Sequence, residues 1–177
     1  MKMMEIKRIE TVRDSLYPLF KALYADSFPV FEQRTEVQQI AAFEKQHYHL
    51  ELYYEEDLFL GFIAWWSYGT YIYIEHYAIH VSLRGQGYGS RILQSFIASH
   101  PAIILLEIDP IVDEKSAARL RFYQKCGFYE NDYPHTHPPY REGYHAHPLL
   151  VLTTQRSITP AEYQQFVADL NDNVMRF

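Results

Sequence analysis

Cysteine is nearly absent: Cys126 is the single one in 177 residues. One thiol excludes a disulfide framework and a metal cluster built on thiolates. No apolar run approaches the ~20 residues that a membrane-spanning helix needs. The first ten residues, MKMMEIKRIE, are charged throughout and lack the apolar centre of a secretory signal, so a cytoplasmic protein is expected. Basic charge is also scarce. Sixteen Lys and Arg against 22 Asp and Glu leave a net charge of −6, which argues against nucleic acid as a partner, because that affinity rests on neutralising phosphates. There is no internal repeat, low-complexity run or linker.

What is present is apolar and aromatic. Hydrophobic residues make up 48% and aromatic ones 16%, the composition of a folded globule. A chain of this length suggests one domain, 1–177, able to bury roughly 70% of its unfolded surface. The stretch around which the chain is organised is Ile72 to Ala98. Ile72 to Val81 reads as a long buried strand, Ser82 to Gly89 as a turn, and Ser90 to Ser99 as a helix with Ile92, Leu93, Phe96 and Ile97 on one side.

The turn carries Gly85, Gly87 and Gly89 at alternate positions. Glycine permits positive φ and lets a ligand approach without meeting a Cβ. Free N–H groups at the start of a helix, with its dipole behind them, make an anion site suited to phosphate. Arg84 and Arg91 flank the turn and are expected to add positive charge. A nucleotide P-loop would end in Gly-Lys-Ser/Thr, and no lysine is there. A dinucleotide fingerprint would need a third glycine where Ser90 stands, and an acidic residue after a second strand.

The rest of the chain gives the order βααβββαβαββα. Strands are expected at Met4–Ile9, His49–Tyr54, Leu58–Tyr68, Ala102–Ile108, Phe128–Tyr133 and Leu149–Thr153. Helices are expected at Thr11–Tyr24, Thr35–Phe43 and Lys115–Cys126, and from Pro160 onward with Thr159 as N-cap. The three strands before the turn, joined by short connections, should form an antiparallel meander. The strand after the central helix should return parallel.

The pattern Arg84-x-x-Gly87-x-Gly89, between a buried strand and an amphipathic helix, resembles the acyl-coenzyme A pyrophosphate loop of the GNAT N-acetyltransferase superfamily. A second stretch, SAARLRFYQKCGF from Ser116 to Phe128, resembles the later motif of that superfamily. The late Tyr133 to Leu152 pattern resembles a bacterial small-molecule subgroup. The resemblance implies an α+β fold in three layers. A mixed sheet of about seven strands would splay between strands 4 and 5, with an extra C-terminal helix in residues 156–177. It implies acetyl-CoA as cofactor, held by Ile79, His80, Val81, Arg84, Gly85, Gln86, Gly87, Tyr88, Gly89, Ser90, Ser116 and Arg119. It implies an acceptor site walled by Tyr24, Phe28, Phe31 and Tyr140. The activity implied is transfer of acetyl to a primary amine of a small molecule, by direct attack in a ternary complex.

That chemistry needs a proton acceptor for the amine and a donor for the leaving thiolate. Glu75 is the only acid between Tyr71 and Val81 and lies nine residues before Arg84. Desolvated beside Tyr73, Tyr77 and Ile79, it should have a raised pKa and serve as base. The plainer alternative is a structural carboxylate satisfied by hydroxyls or an arginine. His76 and His80 would face away from Glu75 on a strictly alternating strand, unless a bulge re-aims one, and read as packed residues. The resemblance puts the Tyr123 hydroxyl beside the coenzyme sulfur, and a neutral tyrosine donates at pH 7. His135, His137, His145 and His147 form two His-x-His pairs without helical spacing or cysteine, so no metal is expected. They line a substrate pocket or belong to a plain solvated loop. Cys126 reads as a small packed residue.

Other classes remain to be weighed. An inactive acyl-CoA-binding or regulatory module would bind without releasing thiol, but would have no reason to hold both Glu75 and Tyr123. A self-associating scaffold fits the aromatic surface and terminal helix, and a homodimer is compatible with either, yet a scaffold leaves Arg84, Gly87 and Gly89 unexplained. The acidic balance mildly favours a cationic acceptor. Polyamine, amino acid, aminoglycoside and protein N-terminus all fit.

Overall fold

The structure, a computed structural model, describes residues 3–177; Met1 and Lys2, the start of the charged N-terminal segment, lie outside the described residues. The chain begins with strand β1 (Met4–Ile9), helices α1 (Tyr17–Ser27) and α2 (Glu36–Phe43), and the meander β2 (Tyr48–Glu55), β3 (Leu58–Ser67) and β4 (Tyr71–Ile79). Helix α3 (Tyr88–Ser99) leads to β5 (Ile103–Ile108), then α4 (Glu114–Lys125) and β6 (Phe128–Asn131). A small hairpin of β7 (Thr136–His137) and β8 (His147–Pro148) precedes β9 (Leu150–Thr154) and α5 (Pro160–Asp169), which runs into a π-helical turn at Leu170–Val174. Among the described residues no helix is long and apolar enough to cross a membrane.

Boundaries differ from the sequence expectation where proline chemistry decides them. The periodic stripe from Thr11 suggested an earlier start for α1, but Pro18 has no N–H and is tolerated only in the first helical turn, so the helix begins at Tyr17. It ends at Ser27, just ahead of the Phe28-Pro29 pair, where the pre-proline residue is extended. Thr35, Asp113 and Thr159 close capping boxes with Gln38, Ser116 and Glu162 and fix the starts of α2, α4 and α5.

The seven long strands form one mixed sheet in the order β1-β2-β3-β4-β5-β9-β6. Every pair is antiparallel except β4–β5. That parallel ladder spans only Tyr71–Tyr73 against Ile103–Leu105, so the two strands part beyond it. One face carries α1, α2 and α5 over Phe20, Leu52, Phe62, Trp66, Tyr73 and Phe166. The other carries α3 and α4 over Ile63, Trp65, Ile74, Ile92, Phe96 and Leu106. This is the three-layer arrangement that the resemblance implied, with the split between strands 4 and 5.

Strand β4 is bulged. Ala64 pairs with His76 and Trp65 with Ile74, so Glu75 is the extra residue. Strict alternation would set His76 opposite Glu75. The bulge instead puts both side chains on the face of α1 and α2, where Glu75 meets Trp66 and His76 meets Tyr24. Tyr77 and Ile79 fall on the other face, with the α3 cluster. Near the end of the β3–β4 ladder, Gly61 lies against Ile79, and a Cβ there would overlap the Ala78 carbonyl oxygen. Gly61→Ala should therefore cost about 2–3 kcal/mol, read as a lower midpoint in urea unfolding, because the overlapped atom is backbone and must shift β4 itself.

Candidate active site

Beyond Ile79 the chain makes a 3₁₀ turn at Val81–Leu83, and Gly85 and Gly87 take left-handed φ of 77° and 86° before α3 begins. This conformation leaves the amides of Arg84 to Ser90 without a hydrogen-bond acceptor in the protein. Seven consecutive donors at the head of a 12-residue helix make an anion cradle. The cradle is anchored: the Tyr77 hydroxyl donates to the Gly89 carbonyl, and a Cβ on Gly89 would lie 3.3 Å from that hydroxyl oxygen. Arg84 donates to the Ile79 carbonyl (3.1 Å) and the Ser27 hydroxyl (3.0 Å). Arg91 points elsewhere: it pairs with Glu55 at 2.9 Å and does not add its charge to the cradle as expected.

From the cradle a cleft of about 930 Å³ runs between the parted strands. Gly85, Gly87, Gly89, Ser90, Ile79 and Arg84 line its entrance, and Phe122 and Tyr123 its wall. The Tyr123 hydroxyl has no partner in the protein, and burial pushes its pKa up to about 12, so it stays protonated. Of the expected cofactor set, Arg119 also lines the cleft, whereas His80, Val81, Gln86, Tyr88 and Ser116 do not. Ser116 is consumed by capping α4: its hydroxyl accepts from the amides of Val112 (2.9 Å) and Asp113 (3.0 Å). Phe28, Phe31 and Tyr140, the residues expected to wall an acceptor site, also line this cleft. Tyr24 lies a layer deeper, its hydroxyl accepting from the Arg34 amide at 2.7 Å.

Glu75 differs most from expectation. Its side chain is fully buried and every lone pair has a donor. Arg34 donates through Nε (3.1 Å) and Nη2 (3.2 Å), Trp66 through Nε1 (2.9 Å), and Tyr140 through its hydroxyl (2.7 Å). Burial alone would raise the pKa. The Arg34 guanidinium, the nearby His76 and the hydrogen bonds override it and hold the carboxyl down at about 2. A saturated carboxylate of that acidity does not take a proton from an amine, so the raised-pKa reading is corrected and the structural alternative applies. The charged partner, Arg34, carries no sequence signature. It sits just before the Thr35 cap, and only the rule that a buried acid needs a cation points to such a residue.

A second buried, hydrogen-bonded carboxylate lies across the split. Glu107 on β5 accepts from the Tyr73 hydroxyl and from His135 Nε2 at 2.6 Å, and His135 Nδ1 meets the Tyr163 hydroxyl at 2.8 Å. Burial would raise Glu107, but His137 and His135 bring its pKa below the usual range. In contrast, Glu32 lines the cleft without a hydrogen bond or ion pair. Burial, then Asp109, raises its pKa to about 7. Sequence reading singled out neither Glu107 nor Glu32. His137 and His147 line the cleft as one of the two loop readings held. Among the described residues no group of three or more His, Cys, Asp or Glu side chains is arranged to hold a metal ion.

Residues 15–128 match the acetyltransferase (GNAT) family. The chain belongs to this family. Among solved structures it is similar to a GNAT-family acetyltransferase from Bacteroides thetaiotaomicron, with 27% identity, 97% of this chain and 98% of that one covered, and a TM-score of 0.90. A Bacillus subtilis acetyltransferase in complex with CoA shares the fold at 18% identity, 86% and 98% coverage, and a TM-score of 0.54. So does a GNAT family acetyltransferase from Elizabethkingia anophelis with acetyl-CoA bound, at 15% identity, 86% and 98% coverage, and a TM-score of 0.57. No curated protein matches the sequence. In this GNAT chain the buried Arg34–Glu75 pair stands where the β4 bulge opens the sheet. Arg34→Met should cost about 3–5 kcal/mol at pH 7, because it strands a buried charge. The Glu75 pKa is lowered, so its stabilisation is full above pH ~4.5 and lost as pH falls toward 2; urea melts at pH 7 and pH 3 should show the variant's deficit shrinking in acid.

Proposed function

We propose that this protein is an acetyl-CoA-dependent N-acetyltransferase acting on a primary amine of a small molecule by direct attack in a ternary complex. The observation that carries the reading is the run of unpaired amides from Arg84 to Ser90 opening into a cleft that reaches Tyr123. Amides bind the coenzyme's pyrophosphate, and the solved relatives that hold CoA or acetyl-CoA support that choice of ligand. Past Tyr73 the β5-facing edge of β4 has no strand partner, which leaves main-chain groups free to receive the pantetheine arm and to stabilise the thioester oxygen. Tyr123, protonated and without a partner, supplies the proton that the leaving thiolate needs.

At the other end, Phe28, Phe31 and Tyr140 wall an enclosed space suited to a small acceptor. Glu32, Glu107 and Asp109 give that end a negative character, which favours an acceptor that carries positive charge. Glu75 acts in this reading as a positioning residue: it fixes Tyr140 and so the late loop. A cytoplasmic setting fits the single thiol.

Acetyl-CoA at 100 times its dissociation constant should stabilise the fold by about 2.7 kcal/mol, seen as a higher melting temperature. An unchanged melt at millimolar acetyl-CoA removes the reading. Tyr123→Phe should reduce kcat for thiol release roughly 100-fold while leaving the acetyl-CoA melting shift intact. Wild-type turnover in that variant rejects Tyr123 as donor.

A further inference from the structure

With Glu75 saturated, the acceptor amine needs another group to take its proton. We propose that His137 Nε2 is that group, a catalytic base placed by the late loop and not by β4; this rests on the acetyltransferase reading above. His137 is 3% exposed yet lines the cleft. Its Nδ1 lies 2.7 Å from the Pro138 carbonyl oxygen, an acceptor only, so Nδ1 carries the hydrogen. In the neutral ring Nε2 is therefore a bare lone pair. Its one protein neighbour at hydrogen-bond range is the Tyr140 hydroxyl at 3.5 Å. That hydroxyl has a single proton, already donated to Glu75 at 2.7 Å. Nothing in the protein protonates or occupies Nε2.

The same geometry prepares a place for the proton once it arrives. A protonated Nε2 becomes a donor, and the Tyr140 oxygen, backed by the Glu75 carboxylate, is the acceptor that faces it. His76 from β4, Glu107 from β5, His147 from β8 and Tyr140 from the loop surround the ring, with Glu75 behind Tyr140 and His135, just before β7, behind Glu107. His76 and His147, both with pKa lowered by burial, remain neutral around pH 7.

The step balances as follows. An N–H bond of the substrate ammonium breaks and the proton forms a bond to His137 Nε2. The freed lone pair attacks the thioester carbon, and the tetrahedral adduct collapses with breakage of the C–S bond. The thiolate takes the Tyr123 proton, Tyr123 recovers one from the new amide nitrogen, and His137 returns its proton to solvent.

The test is His137→Asn, whose side-chain amide still donates to the Pro138 carbonyl but has no basic lone pair. Coenzyme A release from acetyl-CoA is followed with a panel of alkylamines, diamines and aromatic amines. Expected is a roughly 100-fold fall in kcat with KM changed less than threefold. Added imidazole should partly restore the rate, and the acetyl-CoA melting shift should be preserved. A kcat within threefold of wild type overturns the proposal while leaving the acetyltransferase reading standing. If no wild-type melt responds to acetyl-CoA and no thiol is released, the reading beneath fails and takes this inference with it. Should the variant not fold or the panel give no turnover, nitrogen-15 NMR of the wild-type imidazoles decides: a neutral His137 with its hydrogen on Nδ1 supports the assignment, and a hydrogen on Nε2 overturns it.

Discussion

The buried ion pair between Arg34 and Glu75 ties together more of this molecule than any other contact. Arg34 comes from the loop before α2 and also donates to the Val174 carbonyl at 2.9 Å, near the C-terminal end. Glu75 is the bulged residue of β4, Trp66 belongs to β3, and Tyr140 to the loop between β7 and β8. Four segments meet at one carboxylate, and Arg34 ties in a fifth through Val174. An ion pair of this kind is costly to desolvate, and here Nε1 of Trp66 and the Tyr140 hydroxyl complete the shell that offsets the cost. The pair contributes less as net attraction than as a geometric constraint. Only one arrangement of the bulge, the α1–α2 loop and the late loop satisfies every donor.

The constraint reaches the cleft through two routes. The bulge turns Glu75 and His76 to the same face, so the following residues, Tyr77 and Ile79, project toward α3 with the phase needed to anchor Gly89 and wall the cradle. Tyr140, held by Glu75, sets the position of the loop whose His137 and His147 border the acceptor end. One buried carboxylate thus fixes both the anion-binding end and the proton-handling end of the same groove, without touching either ligand.

Sequence periodicity carried the architecture well. The apolar β4, the glycine turn and the amphipathic α3 were legible because each rests on local chemistry: strand burial, positive φ and helical spacing. The single parallel ladder followed from the crossover connection. The site was only half legible. Gly85, Gly87, Gly89 and Tyr123 declare themselves through a motif, but Arg34 and Glu107 act through partners 41 and 28 residues away, which no window along the chain can pair. Glu75 stood out correctly as a lone acid in an apolar strand. Its protonation state did not, because desolvation and a guanidinium push in opposite directions and only the fold says which prevails. Ser116 shows the same limit from the other side: a polar residue inside a ligand-binding motif turned out to spend its hydroxyl on the helix cap.

The distribution of acids then explains the acidic balance of the chain better than its total does. Glu75 and Glu107 flank the split, each held charged by its partners, with four donors on Glu75 and two on Glu107. Asp109 is paired with Arg119 at 2.8 Å. Glu32 alone among the cleft acids has no partner, and burial together with Asp109 raises its pKa to about 7. Near neutrality it is about half charged, so a cation arriving in the cleft stabilises the carboxylate and displaces its proton. Glu32, His137, Tyr123 and the glycine turn all line this one cleft. In the proposed reading, attraction of the cation falls to Glu32 and removal of its proton to His137.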